Sequence, residues 1–251
     1  NLGAAYYHST NRGKSGVAID IATTEGQAEV RALLANADVV IENYKVGGLA
    51  KYDLDPATLI ADFPRLIVCS ITGFGQTGPY AHRAGYDFII QAMGGAMSLT
   101  GEPDGAPQKA GIAYADIFTG MYSTVAILAA LRRRDATGTG AHIDMALLDC
   151  QVGVLANQAA NYLASGISPR RMGNGHANVV PYQAFATADG QLVIAVGNDG
   201  QFRKLCMILG ESGWADDARF VTNAARLANR TALIPLLAAK IAGWDAQPLA
   251  L

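Results

Sequence analysis

Charge is scarce in this sequence: only 16% of its 251 residues are Asp, Glu, Lys or Arg, and the formal net charge is -2. With its basic residues scattered, the chain offers no broad patch for a phosphate backbone, so nucleic acid is not expected as a partner. The Arg132-Arg133-Arg134 run closes a long apolar segment and reads as a basic last turn that complements a helix dipole. Cysteine is also sparse. Cys69, Cys150 and Cys206 are odd in number, far apart and set in apolar stretches, which predicts reduced buried thiols and a cytoplasmic location rather than a disulfide frame. His8, His82, His142 and His176 show no close ligand spacing, so no metal is expected. Uninterrupted apolar runs stop short of the ~18 residues of a membrane span, and no membrane partner is expected. The first residue is Asn1 rather than Met, which leaves room for a removed targeting segment and hence for an organellar matrix.

What is present is a core. A chain that is 51% hydrophobic can fill one large or two small domains. Val17 to Ile21 reads as a short strand, and Thr24-Glu25-Gly26-Gln27 as a capping box opening a helix that ends near Asn36. Asp38 to Glu42 and Leu66 to Ile71 read as buried strands flanking a helix over Pro56 to Phe63, a strand–helix alternation that predicts a parallel α/β sheet. From Asp116 to Arg134, Ile117, Met121, Val125, Leu128 and Leu131 form a helical stripe ended by Thr137-Gly138-Thr139-Gly140. His142 to Met145 follows as another strand and Leu147 to Ala164 as a second long helix. Asp189-Gly190, between Tyr182 to Thr187 and Gln191 to Val196, is a hairpin signal that marks a different kind of domain.

Several chemical motifs fail on inspection. Gly73-Phe74-Gly75-Gln76-Thr77-Gly78 has the G-x-G-x-x-G form after a strand, but Pro79 follows at once and no acidic residue closes a strand about 20 positions later. A loop that needs close backbone approach to something other than a dinucleotide fits better. Gly13-Lys14-Ser15 lacks the glycine five positions earlier that a P-loop requires, and no G-x-S-x-G nucleophile elbow occurs. Asp116 stands where the Gly-rich segment 101 to 111 hands over to the long helix. A carboxylate there is favoured in its ionised form by backbone N–H donors, whether it serves as a nucleophile or as an ordinary N-cap.

Taken together, Asn11-Arg12-Gly13-Lys14-Ser15 with Ile19-Asp20, Glu42-Asn43-Tyr44, the string Ser70 to Pro79, Gly85-Tyr86-Asp87, Asp116 with Gly120, and Ala129-Ala130-Leu131 resemble the class III (CaiB/BaiF-type) CoA-transferases in order and spacing. The resemblance implies an α/β fold with a Rossmann-like large domain over residues 1–178 and a smaller α+β domain beginning at 179, in an interlocked homodimer. It implies that Asp116 is the nucleophile that carries the acyl group and then CoA. CoA or acyl-CoA would be a substrate rather than a permanent cofactor. The implied CoA-binding residues are Ile19, Asn43, Tyr44, Lys45, Lys51, Arg83 and Tyr86, with plain solvated lysines as the alternative for Lys45 and Lys51. Ala22 stands where some members carry a basic residue. Gly173, Gly175, His176 and Asn178 correspond to the family's active-site loop, expected to be a mobile cover that helps read the acceptor acid. With Gly197-Asn198-Asp199 this loop is similar to the branch that uses succinyl-CoA and small dicarboxylates. Two relations within or near the family compete: α-methylacyl-CoA racemases, which carry His where this chain has Tyr86, and a catalytically silent CoA-binding homologue. A nicotinamide dehydrogenase is a more distant rival.

Overall fold

The computed structural model describes residues 4–249, the last by its backbone alone. In chain order the elements are α1 (Ala5–Thr10), α2 (Thr24–Leu34), β1 (Val39–Glu42), α3 (Pro56–Asp62), β2 (Ile67–Thr72), α4 (Asp87–Met93), α5 (Ala96–Leu99), α6 (Tyr114–Thr137), β3 (Ala141–Ala146), α7 (Leu147–Val154), α8 (Asn157–Ser165), β4 (Tyr182–Ala186), β5 (Gln191–Ala195), α9 (Asp199–Ile208), α10 (Asn223–Ala228), α11 (Arg230–Ile241) and α12 (Ala246–Leu249). Contacts divide the chain into two compact units, Asn1–Met93 with Ile112–Val154, and Gly94–Gly111 with Leu155–Leu251. The division by contacts thus falls at Val154 and draws in an earlier segment. The boundary at 178 is an expectation for a complete protein.

In the first unit, β1, β2 and β3 form a parallel sheet in that order, with Val39 opposite Ile67 and Ile67 opposite Ala141. Ile67, Val68, Cys69 and Ser70 of the central strand are fully buried, which is why β2 reads as a continuous apolar run rather than an alternating one. Leu34, Leu49, Leu54, Leu59, Leu66 and Val68 make one core cluster, and Ile90, Ala115 and Leu147 another. α3 starts sharply because Pro56 fits its first position and the Asp55 carboxylate accepts from the Ala57 and Thr58 amides. The Thr58 hydroxyl, which donates to Asp55 at 2.6 Å, is the main cause holding that carboxyl below its ordinary value. A lowered carboxyl stabilises the fold above the unfolded pKa and loses that contribution as pH falls through the folded one. Asp55→Ala should therefore cost about 1 kcal/mol at neutral pH, with the deficit closing in acid; thermal melts against pH check this.

Several expectations need correction. Val17 to Ile21 forms no strand: Val17 is exposed, and β1 is bordered in the sheet by β2 alone among the described residues. The cap of α2 is Thr23, one residue earlier than expected, whose hydroxyl accepts from the Gly26 amide at 3.1 Å. α6 starts at Tyr114, so Asp116 lies inside its first turn. Its apolar stripe also faces the wrong way: Ile117, Met121, Val125 and Leu128 are exposed, while Ala115, Thr119 and Ser123 are buried. Small side chains let a helix approach its neighbours closely, and α6 packs on α4, α7, β2 and β3. By length and composition alone α6 is also long and apolar enough to cross a membrane, although polar residues interrupt its apolar run. The long helix expected from Leu147 is two, α7 and α8, separated where Ala156 takes φ 48.

The second unit is α+β in character. β4 and β5 form the expected antiparallel hairpin, Tyr182 opposite Ala195, and Asp189 in the turn accepts from the Thr187 hydroxyl and the Ala246 amide. Phe185, Phe202, Phe220, Leu233, Leu237 and Ile241 fill its core. The Arg226 side chain is fully buried in that core, donating to the Val180 and Phe220 carbonyls and to Asp199. All three cysteines are buried and free.

Candidate active site

In an open parallel sheet, ligands collect in the crevice beyond the carboxyl ends of the strands. Here β1 runs out into Asn43, Tyr44 and Lys45, and β2 into Gly73. The Asn43 amide donates to the Ile71 carbonyl at 3.1 Å, tying the first of these ends to the second. Gly73 lies against Gly85 so closely that a Cβ on Gly73 would sit 2.5 Å from the Gly85 Cα, which explains the pair of glycines. Around this contact lie two cavities of about 360 and about 350 Å³ that share Asn43, Ile71, Gly73, Gly85 and Tyr86. The first is walled by Asp87, Asp116 and Thr119, the second by Tyr44, Lys45, His82 and Arg83. One cleft therefore carries cations at one end and two carboxylates at the other.

Asp116 is the third residue of α6, and the residue before the helix, Ala113, has no side chain to cap it. The cap comes instead from Asp87, the first residue of α4. Its Oδ1 accepts from the Ala115 amide at 2.7 Å and the Asp116 amide at 3.3 Å. This reverses the electrostatic expectation for Asp116. Burial, and then the negative charge of Asp87, push its carboxyl up from the ordinary value. The positive helix end that was expected to favour the ionised form is already satisfied by another carboxylate. The result is a more basic oxygen facing the cavity, which suits a nucleophile better than a cap.

Ile19 and Lys51 line neither cavity; the Lys51 ammonium lies 4.6 Å from the Tyr52 ring centroid. The Arg83 guanidinium stacks on Tyr80 at 4.2 Å while walling the second cavity. Gly173, Gly175, His176 and Asn178 all belong to the second unit, and the strand of loop they occupy is tied at several points. The Gly173 amide donates to Gly101, the His176 amide to Tyr182, and Arg230 donates to the His176 carbonyl at 2.6 Å. The Asn178 side chain exchanges hydrogen bonds with Asn157 and Asn161. The left-handed backbone falls at Gly173, φ 54, rather than at Gly175, where a Cβ would meet the Met172 carbonyl at 3.1 Å. The imidazole of His176 is held as well: its Nδ1 accepts from the Asn178 backbone N–H at 3.0 Å, and its ring packs edge-on against Tyr182.

Two carboxylates had no role from the sequence alone. Asp87 stood only as the last residue of the Gly85-Tyr86-Asp87 string, although an acidic residue opening the apolar run Phe88-Ile89-Ile90 is also a helix-start signal. Asp144 carries no local signal. Both of its oxygens accept from the Gln76 amide, at 3.1 and 2.9 Å, so the Gly-rich loop turns a backbone donor toward its own chain.

Comparison with known proteins fits this geometry. The model of CoA-transferase family III matches residues 1–250. The chain is 58% identical to a succinate–glutarate CoA-transferase of Agrobacterium fabrum, covering 99% of this chain and 62% of the relative. It is 44% identical to a succinyl-CoA:glutarate CoA-transferase of Mus musculus, covering 96% of this chain and 56% of that one. A CAIB/BAIF family protein from Brucella suis superposes with a TM-score of 0.79 at 61% identity, over 98% of this chain and 65% of that structure. The chain thus spans about three fifths of the length of the relatives it matches. On a match that runs from Asn1 to residue 250, over a parallel sheet with its cleft at the strand ends, this chain belongs to CoA-transferase family III.

Proposed function

We propose that the complete protein moves CoA from a succinyl-CoA-type donor to a free dicarboxylic acid, with Asp116 as the covalent nucleophile. The observation that carries the reading is the cleft itself. Asp116 stands in one cavity, and Tyr44, Lys45 and Arg83 wall the adjoining one, with Asn43 and Tyr86 common to both. Cations at one end suit the phosphates of CoA, and the carboxylate at the other suits its acyl group. The names of the relatives from Agrobacterium and mouse support the dicarboxylate class.

In the mechanism, an Asp116 oxygen attacks the thioester carbonyl and the C–S bond breaks, giving a mixed anhydride and CoA thiolate. The thiolate attacks the aspartyl carbonyl, releasing the donor acid and leaving an aspartyl-CoA thioester. The acceptor carboxylate attacks that thioester, forming a second mixed anhydride with Asp116 and freeing the thiolate again. The thiolate then attacks the acceptor's acyl carbon, forming the new acyl-CoA and regenerating Asp116. Each intermediate is an anhydride or a thioester, so the activated bond is conserved without ATP provided that water is kept away. CoA enters and leaves as substrate. Ile19 and Lys51 belong to this reading as outer CoA contacts, and Gly173, Gly175, His176 and Asn178 as the acceptor loop. A cytoplasmic homodimer completes it.

The test is incubation of the complete protein with acyl-CoA donors and free acids, with mass spectrometry of the CoA products. Succinyl-CoA and glutarate should yield glutaryl-CoA. In D2O the α-position of 2-methylacyl-CoA should stay unlabelled, because Tyr86 stands where a racemase carries His, and a phenol is a poor replacement for an imidazole base in α-proton exchange. Label entering as fast as CoA moves would replace the transferase by an isomerase.

A further inference from the structure

We infer that Asp87 is a positioning residue for the nucleophile: by capping α6 from α4, it fixes the backbone that presents the Asp116 carboxylate to the cavity. The inference rests on the reading of Asp116 as the nucleophile. Both residues line the same cavity. Asp87 is gripped from two sides, since its Oδ1 takes the Ala115 and Asp116 amides and its Oδ2 takes the Gln91 amide at 2.7 Å. Gln91 lies one turn further along α4 and is 1% exposed, so this arm cannot swing without disturbing packed structure. On the far side, the Thr119 hydroxyl donates to the Ala115 carbonyl at 2.7 Å, holding the same turn of α6 from within.

A stability role alone does not account for this arrangement. A serine or asparagine at Ala113 would cap α6 locally, with no second negative charge beside Asp116. Placing a carboxylate there instead sets a like charge beside Asp116, which disfavours its ionisation and makes the reacting oxygen more basic. Among ionisable groups, only Tyr86 shares the cavity lining with this pair; Lys45, His82 and Arg83 wall the adjoining cavity. β2 and α7 contribute uncharged Ile71 and Leu147. Among the described residues no cation in that lining offsets the repulsion.

The experiment measures formation of the covalent adduct at Asp116 in a single turnover, trapped with hydroxylamine, as a function of pH. Wild type is compared with Asp87→Asn, which keeps an acceptor oxygen but removes the charge, and with Asp87→Ala, which removes both. The Asn variant should keep its KM for acyl-CoA but melt somewhat lower, because its Nδ2 replaces the oxygen that accepts from the buried Gln91 side chain. It should react about tenfold more slowly, with the acid limb of the profile moved to lower pH as Asp116 becomes less basic. The Ala variant should lose about 100-fold in rate through misplacement and should melt lower. If it fails to fold, the Asn variant decides. An Asn variant that forms the Asp116 adduct at the wild-type rate, with an unmoved acid limb, would reduce Asp87 to an ordinary cap and leave the role of Asp116 standing. Absence of any adduct at Asp116 in wild type would remove that role, and this inference with it.

Discussion

Asp116→Asn is expected to abolish CoA transfer, with kcat down by at least ~10⁴-fold, the scale on which loss of a covalent nucleophile is felt. The amide oxygen of asparagine fits the same space but carries no charge to attack a thioester. Binding of acyl-CoA should survive, because the cations Lys45 and Arg83 lie in the adjoining cavity. Hydroxylamine added to acyl-CoA-loaded wild type should leave a hydroxamate at Asp116, visible by peptide mass, and none in the variant. Turnover retained in the Asn variant would sink the assignment. The same substitution has a signature on stability. The Asp116 carboxyl is pushed up by burial and by Asp87, so the folded state holds its proton more tightly than the unfolded state does. That contribution is fully present below the unfolded pKa and is lost as pH rises through the folded one. At neutral pH the neutral Asn variant should accordingly melt slightly above wild type, by less than ~1 kcal/mol because the side chain is only partly withdrawn from solvent and is screened. In acid the two should coincide.

Gly73→Ala should also be damaging, by a purely steric route. The new Cβ would lie 2.5 Å from the Gly85 Cα and 2.7 Å from its nitrogen, and backbone cannot step aside as a side chain can. Either the end of β2 or the turn at Gly85 must shift, and both cavities include both glycines. A displacement on the ångström scale at a reacting centre costs about 100-fold in rate, and the overpacking itself about 1–3 kcal/mol of stability. Gly85→Ala, whose Cβ would meet the Gly73 Cα at 2.4 Å, should behave alike. Because either substitution forces the same two backbone segments apart, the double variant is expected to fall short of the sum of the singles. Steady-state kinetics and the rise in melting temperature on adding CoA measure both effects. Wild-type kinetics in either single variant would mean that the glycine contact does not shape the site.

The strands β1, β2 and β3, the helix α3 and the hairpin were legible because each is announced locally, by an apolar run, a proline after an aspartate, or Asp-Gly between alternating segments. Val17 to Ile21 shows the limit of that signal. A strand exists only where a neighbour completes its ladder, and the segment's own residues say nothing about the neighbour. α6 shows another limit. Periodicity located the helix, but the stripe of large apolar residues lies outward and the buried side is Ala115, Thr119 and Ser123. Burial is decided by what packs against a face, not by the hydrophobicity of that face alone. At the site, Asp116 was marked by its string and its place near a helix start. Its raised pKa was not readable, because that depends on Asp87, 29 positions away and brought alongside only when α4 and α6 pack.

The Gly-rich turn after β2 resembles a nucleotide grip in its spelling, yet its Gln76 amide is already bound to the carboxylate of Asp144. A tethered anion competes at an effective concentration in the ~mM range or above, and it never diffuses away. A free phosphate would have to evict a rival carried by the neighbouring strand. The turn thus behaves as a strut that joins the exit of β2 to β3, just beyond the Gly73 that lines both cavities.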